Sequence, residues 1–285
     1  MTEPPFLSPL EETVAIVGVG LIGGSLAAAL RQRRVARHVI GVGRNAARME
    51  QAKLAGLIDE AATDISAVAS RSDVIVFCTP VEQVARGAKA AASRLRPGGL
   101  LTDAGSVKQP ICDELTDVPT FIGSHPIAGS HRQGFEAADS QLFDGRLCVL
   151  TPLPSANLSQ VERLERFWQA VGMRTVQMSP NAHDRALAMT SHLPHVVAAA
   201  LATTLSEENR GLTGTGFRDT TRIAAGDPEL WSGILMQNAE HVAAGIEAVQ
   251  QLLEAFRKAI LSKDPDRIKE LLAEGRSRRS TLENH

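Results

Sequence analysis

The chain has 285 residues, 44% of them hydrophobic and 22% charged, which is the balance of a soluble globular protein with room for one large domain or two ordinary ones. A net charge of −2 supplies no general field for a polyanion and argues against nucleic acid as a partner. The sequence has no tyrosine, which excludes any dehydrogenase mechanism built on a catalytic Tyr–Lys pair.

The opening segment, MTEPPFLSPLEET, has neither the basic n-region nor the apolar h-region of a signal peptide. No uninterrupted apolar run approaches membrane-spanning length, so no membrane partner is expected. Cys78, Cys112 and Cys148 are far apart, odd in number and outside any CxxC spacing. That pattern predicts a reducing cytoplasmic setting with neither a disulfide framework nor a structural metal.

The β-branched run Val14 to Val17 reads as a buried parallel strand. It leads into Gly18, Gly20 and Gly23, spaced G-x-G-x-x-G, and then into an alanine-rich helix. In a dinucleotide site the first glycine permits the tight turn, the second admits a pyrophosphate and the third lets helix and strand pack closely. The helix start, at Leu21 and Ile22, presents free N–H groups to the phosphates. The alternative is a glycine-rich turn without a ligand.

The second strand, HVIGVG, is expected to end in a carboxylate where NAD is the cofactor, because that group binds the ribose hydroxyls. Arg44 stands there instead. A guanidinium pairs with a 2′-phosphate, so NADP is favoured, with NAD as the alternative. Further strands are predicted in DVIVFCTP (73–80), at Leu100 to Thr102, in TFIGSHP, in LCVLTP (147–152) and, as an edge, in RTVQMSP (174–180).

On this reading Thr79, Ser106 and His125 each lie just past a strand, where open α/β sheets bind ligands. Ser106-Val107-Lys108-Gln109 also matches a capping box, in which the serine caps a helix and the glutamine reciprocates. His125 sits in the glycine-flanked stretch FIGSHPIAGS, where a structural role competes with a catalytic one.

After Pro180 the pattern turns helical. NAHDRALAMTSHLPHVVAAALATTL predicts a long helix interrupted at Pro194. His192 and His195, three apart, share a face and serve either as a polar interface pair or as substrate contacts. Arg218 and Arg222 lie four apart in GFRDTTRIAAGDPELW, with Asp219 between them to steady either one. Two guanidinium groups beside a crevice suit a substrate bearing carboxylates, and the alternative is a solvated face. Leu235, Ala239, Val242, Ile246, Val249, Leu253, Phe256 and Ile260 alternate steps of four and three. That seam predicts a helical homodimer interface. A last helix from about Pro265 ends in the basic run RSRRS, read as a solvated tail. Together these elements give an α/β Rossmann-type N-terminal domain, residues 1–179, followed by an all-α C-terminal substrate and dimerisation domain, residues 180–285.

VGVGLIGGSLAAAL, TDAGSVK, GSHPIAGS, SHLPH and GFRDTTRIA resemble, in order and spacing, the prephenate and arogenate dehydrogenases of tyrosine biosynthesis, over about residues 13 to 262. The resemblance implies oxidative decarboxylation of prephenate, arogenate or both with NAD(P). It implies that His125 is the catalytic base and that Ser106 contacts both His125 and the reacting hydroxyl. It also implies that Arg222, helped by Arg218, holds a substrate carboxylate, and that His192 and His195 line the substrate site, His195 leaning toward a keto acid. Neither an added mutase domain nor a regulatory domain is expected beside these two. The rival readings are another Rossmann-plus-helical reductase, acting on a β-hydroxy acid or a ketopantoate-like acid, and a non-catalytic NAD(P)-binding sensor. A neutral histidine base predicts that activity falls below about pH 6.5, the ordinary imidazole value.

Overall fold

Side chains along the first strand, β1 (Glu11–Val17), alternate between two apolar layers. Val14 and Ile16 enter one core and Ala15 the other, and Val74 and Val76 against Ile75 and Phe77 do the same on β4 (Val74–Phe77). A strand buried on both faces reads as a continuous apolar run, which is why these segments are legible as parallel strands. With β2 (Ala36–Val42), β3 (Glu60–Ala62) and β5 (Leu100–Asp103) they form a parallel sheet in the order β3-β2-β1-β4-β5, the Rossmann arrangement. One face is covered by α1 (Leu21–Gln32) and α6 (Leu158–Val171). The other is covered by α3 (Ile65–Ala69), α4 (Val81–Ala92) and α5 (Gln109–Glu114), while α2 (Ala46–Leu54) follows β2. The computed structural model describes residues 9–129 and 132–284. The start of the segment read for a signal sequence, residues 1–8, and Ser130 of the GSHPIAGS motif lie outside the described residues.

A second, three-stranded sheet continues the domain. β6 (Gly123–Pro126) pairs antiparallel with β7 (Leu147–Thr151), which pairs in parallel with the edge strand β8 (Arg174–Gln177). A single parallel bridge, Leu101 to Phe121, joins it to the first sheet. His125 therefore lies inside a strand, opposite Val149, rather than in a loop past one. Its strand is anchored by Ser124, whose hydroxyl meets Thr102 Oγ1 at 2.8 Å and accepts from Trp168 Nε1 at 3.1 Å.

The helical half begins where Ser179 caps α7 (Pro180–Leu187), its hydroxyl accepting from the Ala182 N–H. A π-helical turn, Ala188–His192, leads into α8 (Leu193–Thr203), so the irregularity expected at Pro194 is realised in the turn before it. α9 (Thr215–Thr221), a 3₁₀ turn at Arg222–Ala225, α10 (Pro228–Gln237), α11 (Ala239–Leu261) and α12 (Pro265–Ser280) follow. α10 returns to the nucleotide domain, where Ile234 and Trp231 join the core under α4.

Three expectations change. The helical run from Pro180 to Thr203 spans 24 residues with a hydropathy of 1.2, long and apolar enough to cross a membrane by length and composition. Its buried face, however, carries His183, Asp184 and His192, all engaged within the fold. The heptad seam is split, because Asn238 (φ −122°, ψ 32°) breaks the helix between Leu235 and Ala239. Val242 is then buried within the chain, whereas Leu253 and Ile260 are 61% and 58% exposed. RSRRS forms the last turns of α12 rather than a tail, with Arg278 paired to Glu274.

The fingerprint fixes the contact of α1 with β1. A Cβ on Gly23 would lie 2.2 Å from the carbonyl oxygen of Gly18. Gly23→Ala is expected to destabilise the protein by about 2 kcal/mol or more, since the neighbour is backbone and cannot turn aside. An unchanged denaturant midpoint would contradict this packing.

Candidate active site

The carboxyl ends of β1 and β4 meet at a crevice built for close backbone approach. Gly18 has φ +93°, and a Cβ there would press against the Cys78 carbonyl at 2.9 Å. Gly20, by contrast, faces open space, with nothing within 4 Å of an added Cβ. The first turn of α1, Leu21 to Gly23, has no side-chain cap and no acidic residue, so its N–H groups are open to an anion. Across the crevice, Thr79 Oγ1 is buried without a hydrogen-bond partner among the described residues. A buried hydroxyl in that state is costly unless a ligand satisfies it. These features fit a dinucleotide with its pyrophosphate at Gly20. Arg44 is exposed beyond β2 and makes no ion pair among the described residues, while the next residue, Asn45, caps α2 through the Arg48 N–H.

Ser106 does not cap a helix. α5 begins at Gln109, so a box started at Ser106 would be out of register with it, and the Gln109 side chain bonds Asp113 instead. The helix end is capped from the other domain: Asp184 accepts from the Lys108 N–H at 2.7 Å and from the Gln109 N–H at 2.8 Å. Ser106 is half-buried, and its hydroxyl makes no hydrogen bond to the described residues, His125 included. The Lys108 side chain runs inward to a fully buried ion pair with Asp103, which also accepts from the Gly105 and Ser124 N–H groups at 2.9 and 3.0 Å.

His125 is 8% exposed and meets a partner that the sequence did not single out. Its Nδ1 lies 2.8 Å from His183 Nε2, and His183 Nδ1 lies 2.7 Å from Asp184 Oδ1. Burial above all, then the charges of His183, Lys108 and His192, pushes His125 well below the ordinary imidazole value. Burial likewise lowers His183 against the opposing pull of Asp184.

His192 and His195 do share a face, and both meet Trp231. His195 stacks on the indole at 3.4 Å between centroids, and His192 stands edge-on at 6.2 Å. His192 Nδ1 faces Asn238 Nδ2 at 3.1 Å, while its Nε2 is buried without a partner among the described residues. Burial brings His192 down to about 4. His195 is lowered by burial and then by the Arg222 charge, and the Arg222–Ala225 turn packs on α8. Arg222 and Arg218 are both exposed, and neither makes an ion pair among the described residues, with Asp219 or otherwise.

The residues that sequence reading missed are His183, Asp184, Trp231, Asn238 and the Lys108–Asp103 pair. His183 and Asp184 fall in the first turns of α7, where polar residues ordinarily face solvent. The docking of α7 onto the start of α5 and onto His125 of β6 buries them. Trp231 ends the GFRDTTRIAAGDPELW stretch, and a tryptophan so near two arginines was the available signal.

Residues 26–177 match the family described as the prephenate dehydrogenase nucleotide-binding domain, and residues 179–274 match its dimerization domain. The glycine fingerprint precedes the first matched segment. The cyclohexadienyl dehydrogenase of Zymomonas mobilis is 32% identical over 279 residues, spanning 94% of this chain and 95% of that protein. Among solved structures, prephenate dehydrogenase from Aquifex aeolicus, in complex with hydroxyphenyl propionate and NAD+, superposes with a TM-score of 0.89 at 33% identity, over 95% of this chain and 98% of that one. Arogenate dehydrogenase from Synechocystis gives 0.82 at 31% identity, over 95% and 99%.

The four histidines of the site, His125, His183, His192 and His195, all hold protons less tightly than free imidazole. Below about pH 6.5 the unfolded chain therefore binds more protons than the folded one, and stability is lost as pH falls. For His192 alone the loss by pH 5 is on the order of 2 kcal/mol. The melting temperature is expected to drop between pH 7 and pH 5, and a flat profile would contradict the burial of these rings. The acid limb of kcat/KM is expected below pH 6.5, correcting the value read from an unperturbed imidazole.

Proposed function

This chain belongs to the prephenate dehydrogenase family, and from that membership we propose that it oxidatively decarboxylates prephenate, arogenate or both in tyrosine biosynthesis, as an NAD(P)-dependent dehydrogenase. The observation that carries the reading is His125, a buried neutral imidazole in a hydrogen-bonded line, set near a crevice that fits a dinucleotide.

Gly18, Gly20 and Gly23 form the turn that receives the pyrophosphate, the N–H groups at Leu21 and Ile22 hold it, and Thr79 and Ser106 lie along the nicotinamide end. When bound, the nicotinamide supplies the acceptor for the hydride on C4 of the substrate ring. His125 hydrogen-bonds the C4 hydroxyl and takes its proton, which makes departure of the hydride easier. Loss of the ring carboxylate as CO2 then pushes its electron pair through the ring onto the C4 oxygen, which recovers the proton from His125 as the phenol, and aromaticity drives the step. Ser106, with a hydroxyl free of other partners, contacts the same C4 oxygen. Arg222 holds a substrate carboxylate at the exposed edge, with Arg218 as its helper. His195, on its Trp231 platform, and His192 line the remaining wall.

NADP is the favoured cofactor in this reading. Arg44, without an ion-pair partner among the described residues where NAD-specific sites carry a carboxylate, is suited to a 2′-phosphate. The domain boundary falls between residues 179 and 180, supported by the Ser179 cap. The second half takes a second copy of the chain, supported by Leu252, Leu253, Ile260, Leu261 and Leu272, all more than half exposed. A cytoplasmic setting accords with three unpaired thiols.

The test is direct. Prephenate and arogenate, each supplied with NADP and with NAD, are expected to produce the absorbance of reduced nicotinamide with at least one pair, and none with any pair would refute the reading. His125→Asn is expected to cost a factor of about 10² to 10⁴ in kcat and to leave cofactor affinity unchanged. Arg44→Ala is expected to raise KM for NADP about tenfold while sparing NAD.

A further inference from the structure

We propose that His183 and Asp184 are positioning residues that hold the His125 proton on Nδ1 and leave Nε2 as the basic nitrogen, an assignment that rests on His125 being the base proposed above. Asp184 Oδ1 receives the Lys108 N–H and His183 Nδ1, both at 2.7 Å, and Oδ2 receives the Gln109 N–H at 2.8 Å. A carboxylate only accepts, so His183 must carry its hydrogen on Nδ1. A neutral imidazole has one N–H, so His183 Nε2 is an acceptor. The facing atom 2.8 Å away, His125 Nδ1, must then donate. The lone pair of His125 is left on Nε2, the only ring nitrogen free to take a substrate proton.

The surroundings hold this polarity in one direction. His125 is faced by His183 from α7, Lys108 from the start of α5, His192 from the π turn and Cys148 from β7. His183 is faced by Asp184, Lys108 and Asp103. Lys108, the cation among these, disfavours a second proton on either ring. Asp184 itself cannot drift, because two backbone N–H groups hold its carboxylate and Asn238 Nδ2 donates to its backbone carbonyl at 2.7 Å. The tautomer of a base on a strand of the nucleotide domain is thereby set by a helix of the other domain.

Histidine-¹⁵N labelling of the full chain, without substrate or cofactor, reads the tautomer directly, with His125→Asn identifying the signals of His125. Wild-type protein is expected to show a protonated Nδ1 and a bare Nε2. In Asp184→Asn an amide oxygen in the Oδ2 place still accepts from the Gln109 N–H, while the NH₂ in the Oδ1 place gives up the Lys108 N–H, donates to His183 Nδ1 and reverses the line. The two His125 signals are then expected to exchange identities, with kcat down about 100-fold or more and cofactor affinity retained. His183→Gln keeps an oxygen acceptor opposite His125 Nδ1 and is expected to stay within about tenfold of wild type, whereas His183→Leu falls with Asp184→Asn. A wild-type His125 protonated on Nε2, or equal activity in the Gln and Leu variants, overturns the proposal. The Gln and Leu pair decides it alone if Asp184→Asn does not fold. Because the spectrum needs no substrate, failure of the wild type to oxidise prephenate or arogenate would sink the proposed function and leave this tautomer standing.

Discussion

The structure turns on one carboxylate. Asp184 is 2% exposed, and a buried carboxylate is tolerated only when its lone pairs are occupied. Two backbone N–H groups at the start of α5 and the ring of His183 occupy them. The first two contacts belong to the nucleotide domain and the third to the helical one, so satisfying this single group fixes how the halves meet. Lys108 joins the same line, its backbone bound to Asp184 and its ammonium buried against Asp103 at the end of β5. Removing either partner of that pair would leave a charge in the core, a loss far larger than that of any surface ion pair in the molecule.

Charge around the site is sorted by depth. The interior holds imidazoles that burial keeps neutral at ordinary pH, which is the state required of a proton acceptor. The free cations, Arg218 and Arg222, stand at the exposed side, where a guanidinium keeps its hydration until an anion arrives. Placing a cation deep beside His125 would make the ring a weaker base, and Lys108 does so only with Asp103 as its counter-ion. The stack of His195 on Trp231 lies between the two zones, with Arg222 at its edge.

What the sequence made legible follows from how local each cause is. Gly18, Gly20 and Gly23 answer to steric demands set by a few neighbouring residues, and the structure gives each its own reason. The alternating strands β1 and β4 were likewise readable from period and composition. Ser106 was ambiguous because a capping box is a local motif, and here a side chain 78 positions later displaced it. His183 and Asp184 were invisible for the same cause in reverse: nothing near them in sequence tells of the helix end they serve. His125 was found through its motif, although its setting is a paired strand and not a loop. Of the apolar seam, Leu235 lies on α10 and the other seven residues on α11, because Asn238, whose side chain is drawn inward to the Asp184 carbonyl and His192, ends one helix and starts another.

The π turn at Ala188–His192 separates His183 and Asp184 from His195 along what is otherwise one continuous helix. Such a turn holds one residue more than an α-helical turn, and each residue of an α-helix swings the chain by about 100°. The surplus residue therefore acts as an indexing step, letting one end of the rod address the base while the other addresses Trp231. A chain shortened by one position there would keep every side chain named above and aim half of them elsewhere. In this protein the phase between two working surfaces is carried by the count of residues in a single turn.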